Sequence, residues 1–221
     1  MLTQLALAPV MVLLIFLLAF DRYTKEPLWL MVLFYVYGAF SVVPVMAYCS
    51  YLAQTGLKEY MPYFYTAFLS SAIPEEFIKA VFIYFLINKN KFINEPFDFI
   101  VYPCIFALGF ASAENIVYVY HPFLGGISTA VTRAVFSVPG HFLFAVSMGF
   151  YFAGGGCFNY CRKNIFKAFF MSMLLHGAYN FIIAFMGEMY LFVFIPFIFW
   201  LWKRGLKHML YMQIKYSVNI S

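Results

Sequence analysis

Glu75 and Glu76 stand side by side in the segment Ser70-Ser71-Ala72-Ile73-Pro74-Glu75-Glu76-Phe77-Ile78-Lys79, four and three residues ahead of a lysine. On a helix both spacings make neighbours of carboxylate and ammonium. A lysine next to two carboxyls can make them unequal, and carboxyls of unequal proton affinity suit general acid and base work. Pro74 is placed to break a helix and open a new one, with Ser70 or Ser71 as its cap. A half-helix starting inside a membrane would aim unpaired N–H groups at a cavity. A Glu–Lys pair that only locks helix packing is the plainer reading, but it leaves the second glutamate over.

Three more polar groups lie in apolar surroundings. Phe110-Ala111-Ser112-Ala113-Glu114-Asn115 joins small residues to an acid and an amide. Val138-Pro139-Gly140-His141 holds one imidazole, and His176-Gly177-Ala178-Tyr179-Asn180 puts an imidazole and an amide four apart on one helical face. Imidazole and amide can donate to a developing oxyanion, or the imidazole can bind a metal. Taken singly, Glu114 and His141 read equally as interfacial residues and Asn180 as interhelical glue. His121 and His208 fall in a loop and the tail, where solvation is expected.

The chain that must position these groups is 65% hydrophobic and 10% charged, against about 25% charged in soluble domains. A span needs about 20 apolar residues, and candidates run over 3–20, 28–49, 61–87, 97–119, 137–157, 165–187 and 189–203. The expected fold is all-α: one polytopic membrane domain over 1–221, about seven transmembrane helices, motif-bearing core 61–187. The first run lacks a preceding Lys or Arg and a small-residue cleavage site, so it reads as a helix rather than a signal peptide. Residues 127–138 could extend the fifth span, or lie at the outer interface with Arg133 toward lipid headgroups.

Basic residues alternate between the connections. Arg22, Lys25, Lys89, Lys91, Arg162, Lys163, Lys167, Lys203, Arg204, Lys207 and Lys215 fall on one side and Lys58 on the other. The positive-inside rule then gives an outside N-terminus and a cytoplasmic C-terminus. This pattern accounts for the net charge of +5 without a basic patch, so nucleic acid is not an expected partner. Cys49, Cys104, Cys157 and Cys161 contain no C-x-x-C pair and read as free thiols.

Buried charge at a bilayer centre costs about 2.5–3.5 kcal/mol per residue, so Glu75, Glu76, Lys79 and Glu114 together cost on the order of 10 kcal/mol before pairing. At about 1.5 Å per residue, Glu75, Glu76 and His176 fall near the midplane, with Glu114 and His141 in the outer half. Four spans thus bring polar groups to one depth band.

Glu75-Glu76-x-x-Lys79, Phe110-x-x-x-Glu114-Asn115, His141 and His176-x-x-x-Asn180, in this order over residues 70–180, resemble the PrsW family, distant relatives of the CAAX-processing and bacteriocin-processing membrane proteases. The resemblance implies a multi-pass protease of the bacterial cytoplasmic membrane. It implies a first, extracytoplasmic cut in a single-span anti-sigma factor that starts a stress response. It marks Glu75, Glu76 and His176 as essential, with Glu114, His141 and Asn180 in support. Glu114 stands where the wider superfamily usually has His, which leaves metal use open.

Two versions of hydrolysis stay open. In one, Glu75 or Glu76 activates water, Lys79 tunes the pair, and His176 with Asn180 holds the oxyanion; Asn115 supports the site. In the other, Glu76, Glu114, His141 and His176 ligate a divalent metal such as zinc. No Ser or Cys lies beside a His in these motifs, which argues against a covalent nucleophile. A proton- or ion-coupled transporter is the alternative from another class.

Overall fold

The computed structural model describes residues 1–22, 25–88, 90–154, 162–186 and 189–220. Lys89, Cys157, Cys161 and the Gly187-Glu188 connection lie outside them. Among the described residues there is helix and no strand.

α1 (Leu2–Phe20) ends at Asp21, whose backbone is extended, and α2 (Leu28–Phe40) begins after Pro27, which is extended too. Ser41 turns the chain into α3 (Val42–Leu52), its hydroxyl donating to the Gly38 carbonyl at 2.6 Å. After Gly56, at a φ of 70° that favours glycine, come the short α4 (Leu57–Tyr60) and α5 (Pro62–Phe64). A π-helical stretch, Tyr65–Ala72, then runs without a break into α6 (Ile73–Ile87). α7 (Asp98–Val119) follows, then α8 (Ile127–Thr132), a second π-helical stretch (Arg133–Ser137), α9 (Val138–Phe152), α10 (Arg162–Phe185) and α11 (Tyr190–Ile220).

Among the described residues, five helical stretches are long and apolar enough to cross a membrane: Leu2–Phe20, Leu28–Thr55, Asp98–Val119, Ile127–Phe152 and Asn164–Phe185. The expected span 61–87 is continuous helix over 62–87 but carries Glu75, Glu76 and Lys79. Residues 127–138 do extend the fifth expected span, continuing helically into α9.

α7 is the axis. Every residue from Asp98 to Ser112 is buried, with α1, α2 and α9 packed around it. Lipid offers no hydrophobic drive between helices, so close contact depends on small residues. A Cβ at Gly38 would lie 2.0 Å from the Phe106 carbonyl oxygen, and one at Gly109 would lie 2.0 Å from that of Tyr35. These two glycines let α2 and α7 meet backbone to backbone. Gly149 does the same for α9 against the Phe99 carbonyl, at 1.9 Å, and Gly177 of α10 leaves room for the Phe68 ring. Outward-facing Ile15, Val43, Phe85, Phe166 and Phe199 are exposed, the surface a lipid-facing bundle presents.

Candidate active site

Two details differ from the sequence expectation and build the site. The helix before Glu75 is not broken, and no serine side chain caps α6. Pro74 cannot donate to the carbonyl four residues back; that oxygen, on Ser70, takes the Cys49 thiol at 3.1 Å. The π-helical register therefore carries the chain past the proline, and the Ser71 hydroxyl is left for Glu75 Oε1 at 3.0 Å. Arg133, in turn, does not reach toward headgroups. Its Nη2 donates to Glu114 Oε2 at 2.6 Å and its Nε to Asn115 Oδ1 at 2.7 Å, over the Tyr118 ring.

Glu75, Glu76 and Lys79 of α6 meet His141 of α9 and His176 of α10. All five are at most 5% exposed. Lys79 Nζ is central: 2.8 Å from Glu76 Oε1, 3.5 Å from Glu75 Oε2 and 3.2 Å from His141 Nδ1. The Phe110 ring, 4.2 Å from Nζ, closes it from below. His176 Nδ1 lies 3.0 Å from Glu76 Oε1, and its ring stacks on Phe144 with centroids 4.8 Å apart. Asn180 reaches the cluster through Ser71, donating to its hydroxyl at 2.8 Å.

Glu114 stands one step out. His141 Nε2 is 2.9 Å from Glu114 Oε2; a carboxylate only accepts, so this nitrogen carries the proton and Nδ1 offers a lone pair to the centre. Asn115 links two neighbours: its Oδ1 accepts from Arg133, the partner of Glu114, and its amide nitrogen donates to the Ala6 carbonyl at 3.0 Å, which ties α7 to α1.

A cavity of about 390 Å³ opens on the cluster, lined by Ser71, Glu75, Glu114, Arg133, His141, His176 and Asn180 among others. A second, of about 500 Å³ and more apolar, runs along Val42, Val45, Met46 and Cys49 and also reaches Glu75 and Glu114. Glu75 and Glu114 line both; Glu76 lines neither.

Donor chemistry suits a cation at this place. One ligand atom each from Glu75, Glu76, His141 and His176 lies within 4.8 Å of the others. Glu76 Oε2 is buried without a hydrogen-bond partner, and a carboxylate behind the ligating histidine, as Glu114 is behind His141, is the usual support of a metal-binding imidazole. This group contains Glu75 where the sequence reading placed Glu114. Lys79 Nζ now holds the central position, so an ion and the ammonium would compete for it.

Sequence reasoning passed over Ser71 as a site member, Arg133 and Phe144. Only Arg133 carried a usable signal, as the one arginine inside an apolar run.

A family model described as PrsW family intramembrane metalloprotease matches residues 26–201. A protein named Protease PrsW from Oceanobacillus iheyensis is 37% identical over 197 residues, covering 89% of this chain and 88% of that protein. Proteins of the same name from Clostridioides difficile and Bacillus subtilis are each 31% identical over 207 residues, covering 91% of this chain and 87% and 90% of their own. No solved structure matches.

Proposed function

Since the chain belongs to the PrsW family of intramembrane proteases and is a multi-pass bacterial membrane protein, we propose that it hydrolyses a peptide bond in a single-span membrane protein at the Glu75–His176 cluster. The observation that carries this reading is the convergence of α6, α9 and α10 on one cavity, with Glu75 at its wall and Glu76 behind it.

The two glutamates take different roles. Glu75 touches both cavities and is the base that takes a proton from the attacking water. Glu76, fully buried against Lys79 and His176, sets their positions. His176 and Asn180, joined through Ser71, face the same cavity; Asn180 supplies an N–H to the developing oxyanion, and His176, whose Nδ1 faces Glu76, supplies another from Nε2 when that nitrogen carries a proton. Phe144 holds the His176 ring against rotation. Glu75, Glu76, His141 and His176 would hold a divalent metal, which when bound supplies Lewis acidity toward water and carbonyl. The more apolar cavity beside Val45 and Met46 suits an unwound stretch of a membrane-spanning substrate.

The substrate we propose is an anti-sigma factor, cut on the extracytoplasmic side. That side rests on an outside N-terminus, a cytoplasmic C-terminus and seven spans, including 61–87 and 189–203. Basic residues concentrated in alternate connections support this orientation. Membership in a protease family leaves the transporter alternative without support.

Co-expression with a single-span substrate tests the roles. Glu75→Ala, Glu76→Ala and His176→Ala each abolish processing while the protein still accumulates in the membrane. Intact processing by any one of them removes that residue's role. A strong chelator applied to purified enzyme, with activity restored by zinc, supports the metal version; undiminished activity removes it.

A further inference from the structure

A second group of acids lies at the other end of α7. Glu114 follows Asp98 by sixteen residues on this helix, which separates the two sites by roughly 24 Å. Asp21 follows α1, Glu26 lies before α2, and Glu95 precedes Asp98. One carboxylate oxygen each from Asp21, Glu26 and Glu95 lies within 4.8 Å of the others. Asp98 Oδ2 accepts the backbone N–H groups of Asn94 and Glu95 at 2.7 and 2.9 Å, which shapes the loop around the group. Tyr102 donates to Glu26.

What separates this group from an ordinary acidic surface is its buried, unused oxygens. Asp21 is 3% exposed and Asp98 is 0% exposed. Asp21 Oδ1 and Asp98 Oδ1 are both buried with no hydrogen-bond partner. Lys25, the cation beside them, turns its Nζ to the Asp21 main-chain oxygen at 3.4 Å instead. Carboxylates removed from water need a counter-charge, and oxygen-only donors from several loops favour a hard cation over zinc.

We propose that Asp21, Glu26 and Glu95, with Asp98 beside them, bind a hard divalent cation of the calcium or magnesium class. The ion joins the α1–α2 connection to the loop before α7 and so fixes the foot of the central helix. It is separate from the catalytic cluster and independent of which residue there acts as base.

Thermal unfolding of the purified full-length chain in detergent tests the site, with calcium, magnesium or manganese chloride as the probe and manganese binding followed by electron paramagnetic resonance. The midpoint rises with the logarithm of cation concentration above Kd, in the wild type and equally in Glu76→Gln/His176→Ala, where the catalytic cluster is disabled. Glu26→Gln and Asp98→Asn weaken the response at least tenfold. Wild-type protein that binds none of the three ions overturns the proposal. So does a response lost in Glu76→Gln/His176→Ala, which would assign the ion to the other cluster. Should Glu26→Gln fail to fold, the manganese signal of the catalytic double variant decides alone: bound manganese supports the second site, and none overturns it.

Discussion

Replacing Lys79 by Met is the most direct probe of how the chain tolerates its buried glutamates. The ammonium lies 2.8 Å from one carboxylate and 3.5 Å from the other, with side-chain exposures of 2%, 1% and 6% for Lys79, Glu76 and Glu75. At an effective dielectric of about 20 these contacts are worth about 6 and about 5 kcal/mol before desolvation is counted. Desolvation of three ions removes much of that. What remains on breaking such a buried pair from one side is about 3–5 kcal/mol, because a charge is left without its partner. Methionine keeps the length and most of the volume, so the loss reports charge rather than packing.

The assay is thermal or denaturant unfolding in detergent, run on Lys79→Met, Glu76→Gln and the pair together. The double variant recovers a large part of the Lys79→Met loss, since Gln no longer needs the ammonium; the coupling exceeds about 1 kcal/mol, as expected for residues in contact. The ammonium and a metal ion also compete for one position, so zinc or manganese raises the unfolding midpoint more in Lys79→Met than in the wild type. A Lys79→Met protein of wild-type stability, or strictly additive losses, would refute the claim that Lys79 neutralises the pair.

Arg133→Met leaves Glu114 with only His141, lowers stability by an amount near the lower end of about 3–5 kcal/mol, and slows substrate cleavage; Arg133→Lys recovers little of either, since one ammonium cannot reproduce the two directed bonds to Glu114 and Asn115. Gly109→Ala forces α2 and α7 apart, because the obstacle to the new Cβ is the Tyr35 backbone at 2.0 Å, and unfolding measurements show a loss of at least about 1–3 kcal/mol. His208 is not the solvated tail residue expected; it stacks on Phe150 with centroids 3.8 Å apart, and burial pushes its pKa down from 6.5 to about 4. The fold disfavours its charged form, so stability is complete above pH 6.5 and falls as the pH drops toward 4. One pKa unit corresponds to about 1.4 kcal/mol, and partial exposure reduces the total to about 1 kcal/mol. Unfolding midpoints of wild type and His208→Phe between pH 7 and 4 check it: the wild type alone shows this component of the slope.

The expected spans 3–20, 28–49, 97–119, 137–157 and 165–187 each coincide with a helix long and apolar enough to cross a membrane, legible because a bilayer demands long apolar runs and few other folds supply them. Glu75, Glu76, Lys79, His141 and His176 stood out because charged or imidazole groups in such runs are costly to bury. The partners of these groups were harder to read. Ser71 looks like any serine in a membrane helix, and its bridge from Glu75 to His176 and Asn180 depends on those two residues 105 and 109 positions away. Asn115 adjoins Glu114 in sequence, yet one step around the helix gives its amide nitrogen to α1 while its oxygen takes Arg133. The acids at the foot of α7 resembled loop charges, since nothing in the spacing of Asp21, Glu26 and Glu95 shows that two connections meet.

The deepest reason lies in the two π-helical stretches. Each ends two residues before a proline, Ala72 before Pro74 and Ser137 before Pro139, and each is followed at once by polar site residues, Glu75 and Glu76 in one case and His141 in the other. A wider turn accommodates an extra residue, so everything after it is rotated by about 100° from where an α-helical period of 3.6 would put it. A face drawn from α-helical periodicity across either stretch is therefore wrong by more than a quarter turn. That rotation acts on His141, which follows the second stretch. It also explains how Glu75 joins the group around His141 and His176 while Glu114 stands behind it. π-helical turns are uncommon and costly, and they concentrate where function requires a particular direction of side chain. Here the two stretches aim α6 and α9 at one point, which regular helices carrying the same motifs would miss.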